Sequence, residues 1–504
     1  MDQDKESRCL HEGFLKLPDD VLLIIFTHSV HDITTSYSYW TTELLRIVGV
    51  CRRFRDVIFS HAPFWNIVCT SFRPEAVDVA LLRSKQAPLV VYVSGYESIP
   101  GKSTTILKKI KAHAHRVTTL LVDFLNFHAD PVSAWREIKE ILRLLSESGF
   151  HAMEEFIFTA PRLYMERHDN VYPNFENDPE DIVADEEAFQ EAEHTVGNGS
   201  DSDSIIHAGD DVQPDEGNSE GHVLPATATR TDDDLLYVYL RWRLSSLKRL
   251  KLYELVPRVQ PELALTSLHL QFERKMNRHL PERPLTQLMR FIKTQPRLQR
   301  LALIICIEET NFAWKETIHM PELRWLRLGT PGWEHHYWSS ICPIPRIFRH
   351  LLAPSMEEIQ LEFPAYTDGM ALETLFAQDY PRLTALTFKL ARENVSRTVL
   401  APFWFLLSRF PLLTHLKLQL AYSIIQNDVP DPLAHPPPPL KELKLATIAN
   451  FGMDGLKKVI EYLGNSERGN SLEYLQVNSC PGLRGTKDQI DILKQLLPNC
   501  EIDI

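Results

Sequence analysis

Pro296-Arg297-Leu298-Gln299-Arg300-Leu301-Ala302-Leu303 decides how most of this chain is read. The same spacing, P-x-L-x-x-L-x-L, returns at Pro321-Glu322-Leu323 with Leu326 and Leu328, and at Pro354-Ser355-Met356 with Ile359 and Leu361. It returns at Pro381-Arg382-Leu383 with Leu386 and Phe388, at Pro411-Leu412-Leu413 with Leu416 and Leu418, and at Pro438-Pro439-Leu440 with Leu443 and Leu445. Leu472, Leu475 and Val477 repeat it without the proline; Leu247-Leu250-Leu252 and Leu265-Leu268-Leu270 fit upstream. From Leu265 to Leu472 the first apolar positions lie 33, 25, 33, 27, 30, 27 and 32 residues apart. A period near 30 residues marks an array of stacked units. The last two apolar residues of each unit alternate along a strand and share one face. One unit cannot bury that face alone, so stacked units pair their strands into a parallel sheet over a continuous core.

Between strands the chain must return. Leu285, Leu288, Met289 and Ile292 have helical spacing, as do Leu456, Val459, Ile460 and Leu463, with Gly464 as a stop. Thr486-x-x-Gln489 reads as a capping box before Ile490, Leu493 and Leu497. The proline before each strand fits a helix end, because it blocks helical continuation. The pattern resembles leucine-rich repeats in an irregular form. The Asn or Cys expected three positions after the last apolar residue survives as Cys306 and Cys480 only. Weaker echoes, Val117-Leu120-Val122 and Met153-Phe156-Phe158, place the first units in 71–165 and the main array in 235–504.

Between these halves the composition changes. Residues 168–234 hold 20 Asp/Glu and one basic residue, Arg230, and so carry −19 of a chain whose net charge is −13. The other 437 residues carry +6. High like charge and few aliphatics predict that 168–232 is a disordered acidic insert. Ser200, Ser202 and Ser204, set among aspartates, fit acid-directed kinases. The acidic average argues against nucleic acid and anionic membrane as partners. The apolar runs Val21–Phe26 and Leu301–Ile307 are far short of the ~20 residues that span a bilayer. The first residues, Met1-Asp2-Gln3-Asp4-Lys5-Glu6, lack the apolar core of a secretory signal. Seven scattered cysteines without a CxxC pair predict a reducing compartment, cytoplasmic or nuclear.

Residues 1–16 are polar and read as a disordered N-terminus. Residues 17–68 read as a small helical module. Leu17-Pro18-Asp19-Asp20 starts a helix, with proline in the first turn and acids at its positive end. Val21, Leu22, Ile25 and Phe26 form its apolar face; Val50, Phe54 and Val57 form a second stripe. The polar stretch His28–Thr42 is expected to be a loop. About 50 residues make a marginal core, and such a module commonly leans on a partner. Leu17-Pro18, Val21-Leu22, Ile25-Phe26, Val50-Cys51-Arg52-Arg53-Phe54 and Pro63-Phe64-Trp65, in this order, resemble an F-box, with Phe54 where Trp is common. The resemblance covers about a tenth of the chain. It implies docking of a Skp-type adaptor through Leu17, Pro18, Val21, Leu22, Ile25 and Phe26, and membership of a cullin–RING ubiquitin ligase. Leu22 and Phe26 could equally belong to the module's own core.

The expected architecture is therefore α/β: a helical F-box, then an irregular leucine-rich-repeat-like solenoid with a parallel sheet and an acidic insert. In L-x-x-L-x-L the residues before the second and third apolar positions face solvent. Across nine units they include six Lys/Arg against two Asp/Glu. Arg249, Lys251, Arg300, Arg327, Lys417 and Lys444, with Trp325 and Tyr474, are the candidate substrate-binding residues. They fit an acidic or phosphorylated segment, or the chain's own insert. Other signals are weak. Gly95 to Gly101-Lys102-Ser103 has one residue too many for a phosphate loop. His335-His336 lacks a completed ligand set, and no nucleophile–base set can be assembled. Pro436–Pro439 reads as a stiff loop rather than a polyproline ligand. No cofactor, metal or catalysis is expected. The reading is a substrate-recognition subunit of an SCF-type ligase, with a scaffold uncoupled from ubiquitination as the alternative.

Overall fold

The computed structural model describes residues 16–31, 37–94, 102–124, 140–141, 143–144, 149–159, 237–238, 244–253, 256–257, 263–272, 284–305, 314–330, 344–363, 379–390, 399–400, 403–420, 424–425, 429–448, 452–464, 472–480, 483, 487–497 and 499–503. The acidic insert 168–232 and residues 1–15 lie outside them.

Fourteen strands form one sheet in chain order, each parallel to the next. They are β1 Ile67–Cys69, β2 Leu89–Ser94, β3 Val117–Asp123, β4 Glu155–Thr159, β5 Arg249–Tyr253, β6 Ser267–Phe272 and β7 Arg300–Ile305. Then come β8 Trp325–Gly329, β9 Glu358–Phe363, β10 Ala385–Leu390, β11 His415–Leu420, β12 Glu442–Ala446, β13 Tyr474–Asn478 and β14 Cys500–Asp503. The sheet starts at Ile67, ahead of the position 71 expected from the leucine pattern, because β1 carries no leucine to mark it.

The leucine spacing sets the register. Phe156, Leu250, Leu268, Leu301, Leu326, Ile359, Leu386, Leu416, Leu443 and Leu475 stand side by side on consecutive strands. All are buried in one cluster that runs from Val68 to Leu497. The prolines act one step later than a helix end. In five of the six units the proline sits second in a β-turn whose closing N–H belongs to the first apolar residue: Leu298 donates to Gln295, Leu323 to Met320, Met356 to Ala353, Leu383 to Tyr380 and Leu413 to Phe410, at 3.1–3.2 Å, while in the sixth Leu440 donates to Pro438 at 2.7 Å. Proline presets the φ that this turn position needs. At the start of each strand one carbonyl accepts two N–H groups from the next unit; Thr266 O takes Gln299 N at 2.8 Å and Arg300 N at 3.0 Å. Both lone pairs are thereby used.

The returns explain the alternating spacing. Long units return by a helix: Pro284–Lys293 before β7, Ile344–Arg349 before β9, Phe403–Leu407 before β11 and Met453–Gly464 before β13. Gly464 ends its helix as expected. The short units before β8 and β12 return through extended segments and turns, with no helix among their described residues. Lys487–Leu496 forms the last helix, before β14.

The N-terminal module has three helices: α1 Asp19–His31, α2 Tyr37–Val50 and α3 Arg52–Ser60. The expected loop His28–Thr42 is largely helical. Thr27 and Ser29 tolerate the helix by returning their hydroxyls to the carbonyls of Leu23, at 2.7 Å, and Ile25, at 2.9 Å. Leu22, Phe26, Leu44, Val48, Phe54, Val57, Ile58, Phe64 and Ile67 make a separate core. Trp65 packs against both cores, and the 3-10 turn Ala62–Trp65 leads directly into β1.

Candidate functional site

The module's surface is set by α1, α2 and one arginine. Arg53 on α3 reaches back across the start of α1. Its guanidinium bonds Asp19 at 2.6 and 3.1 Å and also donates to the carbonyl of Leu17. Leu22 N closes the first helical turn on Pro18 O at 3.1 Å. Cys51 caps α3, its Sγ accepting from Phe54 N at 3.4 Å. The Phe54 ring meets Phe26 edge-on at 4.8 Å. This clamp leaves Pro18 exposed, with Leu17, Val21 and Ile25 half-buried.

Leu22 and Phe26 are fully and almost fully buried, at 0% and 4% exposure. They belong to the module's own core, the second of the two readings left open for them. Val50 is part of the F-box pattern and Ile24 and Leu45 are not, yet all three stand in water. Ile24 is 60% exposed, Leu45 59% and Val50 57%. These exposed aliphatic side chains stand on the first two helices of the module. Val50 heads the second stripe read from the sequence, yet it stands in water, because α3 packs through Phe54, Val57 and Ile58 instead.

A joint connects this module to the sheet. Pro74–Arg83, the helix after β1, ends at Arg83. The Arg83 guanidinium lies 3.8 Å from the Phe59 ring centroid and 4.8 Å from that of Trp65. Trp65 Nε1 donates to Ile58 O at 3.0 Å. Cation–π stacking on two rings ties the module's last turn to the sheet's first helix.

The second candidate surface is the open face of the sheet. Parallel register brings Arg249, Ser267, Arg300, Trp325, Glu358, Ala385, His415, Glu442 and Tyr474 into one row. Lys251, His269, Ala302, Arg327, Gln360, Thr387, Lys417, Lys444 and Gln476 form the next. All eight candidate substrate-binding residues therefore share one face. Ala302 departs from the expected exposure and is buried.

The excess of cations shrinks once the whole face is counted. Glu155 on β4 pairs with Arg249 at 3.3 Å and Lys251 at 3.4 Å. Glu362 on β9, only 7% exposed, takes Arg327 at 3.1 Å and Lys389 at 3.0 Å. It fits because Gly329 lies beside it; a Cβ there would stand 3.2 Å from the Glu362 Cβ. Glu442 holds Lys444 at 2.5 Å and faces His415 at 3.7 Å. Tyr474 OH donates to Glu501 at 2.8 Å, which raises the phenol's pKa. Lysine 444 also stacks on the Tyr474 ring at 5.7 Å. Burial pushes the His269 pKa down, and Lys251 and Arg327 push the same way.

The remaining sequence signals resolve simply. Gly95–Gly101 and His335-His336 lie outside the described residues. Lys102 Nζ donates to Ser71 O at 3.0 Å. Pro437 and Pro438 are buried beneath the strand start, which leaves no continuous polyproline surface. Among the described residues no three His, Cys, Asp or Glu are grouped to hold a metal, and no helix is long and apolar enough to cross a membrane.

No curated protein matches the chain. The family model for the F-box-like domain matches residues 14–71, the span of the three helices, the clamp of Arg53 and the first strand. The N-terminal helical module is thus an F-box-like domain.

Proposed function

We propose that this chain is the substrate-recognition subunit of a cullin–RING ligase of the SCF type, without catalysis of its own. The observation that carries the reading is the F-box-like match over residues 14–71. F-box domains typically bind Skp-type adaptors. Exposed Pro18, Ile24, Leu45 and Val50 offer such an adaptor an apolar surface. The stacked strands of about 30-residue units fit a leucine-rich-repeat-like solenoid whose open face holds a protein substrate. The Arg83 joint supports this division of labour, because it fixes one surface relative to the other.

The test is co-purification of the tagged full chain with the Skp-type adaptor and cullin from cells. The expected result is recovery of both, lost in the double variant Pro18→Ala, Ile24→Asp with the melting temperature unchanged. If the adaptor does not co-purify with the unaltered chain, the ligase reading falls, and a scaffold uncoupled from ubiquitination takes its place.

A further inference from the structure

The open face is not uniform. On β5, β6, β7 and β8 it carries Arg249, Lys251, His269, Arg300 and Arg327 and no carboxylate. Carboxylates flank this strip instead. Glu155 neutralises the cations of β5, and Glu362 those of β8 and β10. Arg300 is left in the middle. It is exposed, has no carboxylate partner among the described residues, and its guanidinium lies 5.1 Å from the Trp325 ring centroid.

The adjoining row supplies a second observation. His269, Ala302 and Arg327 stand in register on β6, β7 and β8. Ala302 contributes only a methyl group. On either side of it, His269 Nε2 and Arg327 Nε are buried and have no hydrogen-bond partner. Buried nitrogens in folded proteins are normally paired, and unpaired ones mark places where a ligand or water belongs.

We propose that β6–β8 form the substrate-docking strip, and that its occupant is an acidic protein segment whose Asp or Glu carboxylate pairs with Arg300 against the Trp325 ring. The strip rests on the receptor reading for what the segment belongs to, not for its chemistry. Three strands, about 4.8 Å apart, span about 10 Å, which matches some three residues of extended chain. A single free guanidinium matches one carboxylate in the bidentate geometry. A phosphate dianion suits the strip less well, because Glu155 and Glu362 stand within about a Debye length of it. A nucleic acid suits it least. Among the described side chains of its strands the face holds seven Lys/Arg against Asp123, Glu155, Glu358, Glu362, Glu442 and Glu501, so these side chains make no continuous phosphate track.

The experiment is fluorescence anisotropy on the full-length chain with its adaptor. The probes are a labelled Asp/Glu-rich decapeptide, its Asn/Gln counterpart, a phosphoserine version and a single-stranded RNA. The acidic peptide is expected to bind, and the amide peptide to bind at least about tenfold more weakly. Arg300→Gln should cost a similar factor and Trp325→Ala somewhat less. Lys458→Gln, exposed on the return helix Met453–Gly464 and so off the open face, should change nothing. Equal binding of acidic and amide peptides, indifference to Arg300→Gln, equal loss in Lys458→Gln, or preference for the phosphopeptide or the RNA would each overturn the proposal. Adaptor recovery from the same preparations separates the two readings. Peptide binding without adaptor sinks the ligase function alone, and adaptor without peptide binding sinks the strip alone.

Discussion

Ile24, Leu45 and Val50 stand in water on the helical module, whereas on the sheet face Glu155 and Glu362 are each held by basic side chains from neighbouring strands. The two surfaces solve different problems. Nine buried side chains among the described residues form the module's small core, and large aliphatic groups stand outside it. The sheet has a core that runs through the whole array, so its outer face is free to carry charge. Charges there are mostly satisfied internally, and discrimination falls to the few that are not. Removing single side chains tests this contrast.

The largest effect is expected from Phe54→Ala. Phe54 packs on Phe26 inside the module's small core. Its truncation should cost about 3–5 kcal/mol, comparable to all the stability such a core supplies. Hydrogen exchange should then rise through α1–α3 and stay unchanged in β6–β12. If protection is lost throughout the sheet as well, module and array are one cooperative unit and the contrast fails. Next comes Glu362→Gln. It leaves Arg327 and Lys389 on the face without their shared carboxylate, at a cost of about 3 kcal/mol in the denaturant midpoint. The same change should tighten acidic-peptide binding, because it frees Arg327. A variant that is destabilised but binds no better would mean that Arg327 does not face the ligand.

How far these features could be read beforehand differs between the regions. The strand register of the array was legible, because leucines two apart must share a face and units must stack to bury it. The described returns follow the spacing: intervals of 30–33 residues hold a helix, and those of 25 and 27 before β8 and β12 show none among their described residues. The neutralisation of the face was not legible. Glu155 meets Arg249 across 94 residues of chain, and only the β4–β5 register, which skips the acidic insert, brings them together. On the module, helical spacing put Leu22 on the apolar face of α1 and left Ile24 off it, but it missed the exposure of Val50 and the helical ends of the stretch His28–Thr42. Arg53 clamps Asp19 from 34 residues away, a contact that no local spacing announces.

A smaller effect is expected at the joint. Arg83→Met keeps the length of the side chain but removes the charge over Phe59 and Trp65, and should cost about 1–2 kcal/mol. Trp65 reports directly on this change. Its fluorescence should shift while peptide binding at β6–β8 stays the same. If ubiquitin transfer to a bound substrate falls although adaptor and peptide affinities hold, the joint sets geometry. If transfer also holds, the joint serves only stability.

The smallest effect concerns pH and separates the strip from the rest of the face. Burial holds His269 below the ordinary histidine pKa, and Lys251 on β5 and Arg327 on β8 act in the same direction; Gln271 on its own strand hydrogen-bonds it, and the Tyr253 ring lies 5.5 Å away. The imidazole is therefore neutral near pH 7. A depressed folded pKa contributes stability above the unfolded value of about 6.5, and that contribution is lost as pH falls through the folded pKa. A carboxylate docked on Arg300 reverses the local field and favours the imidazolium. Binding then takes up a proton, so acidic-peptide affinity should rise a few-fold between about pH 7 and pH 5.5, the range in which the peptide's own carboxylates stay ionised. His113 and His350 also have lowered pKa values, so the melting temperature mixes three histidines, whereas the peptide affinity isolates one. In His269→Gln the pH dependence of binding should vanish while the affinity at pH 7.5 stays within about twofold. A pH profile that survives this change would place the titrating group outside β6–β8, and with it the docked carboxylate.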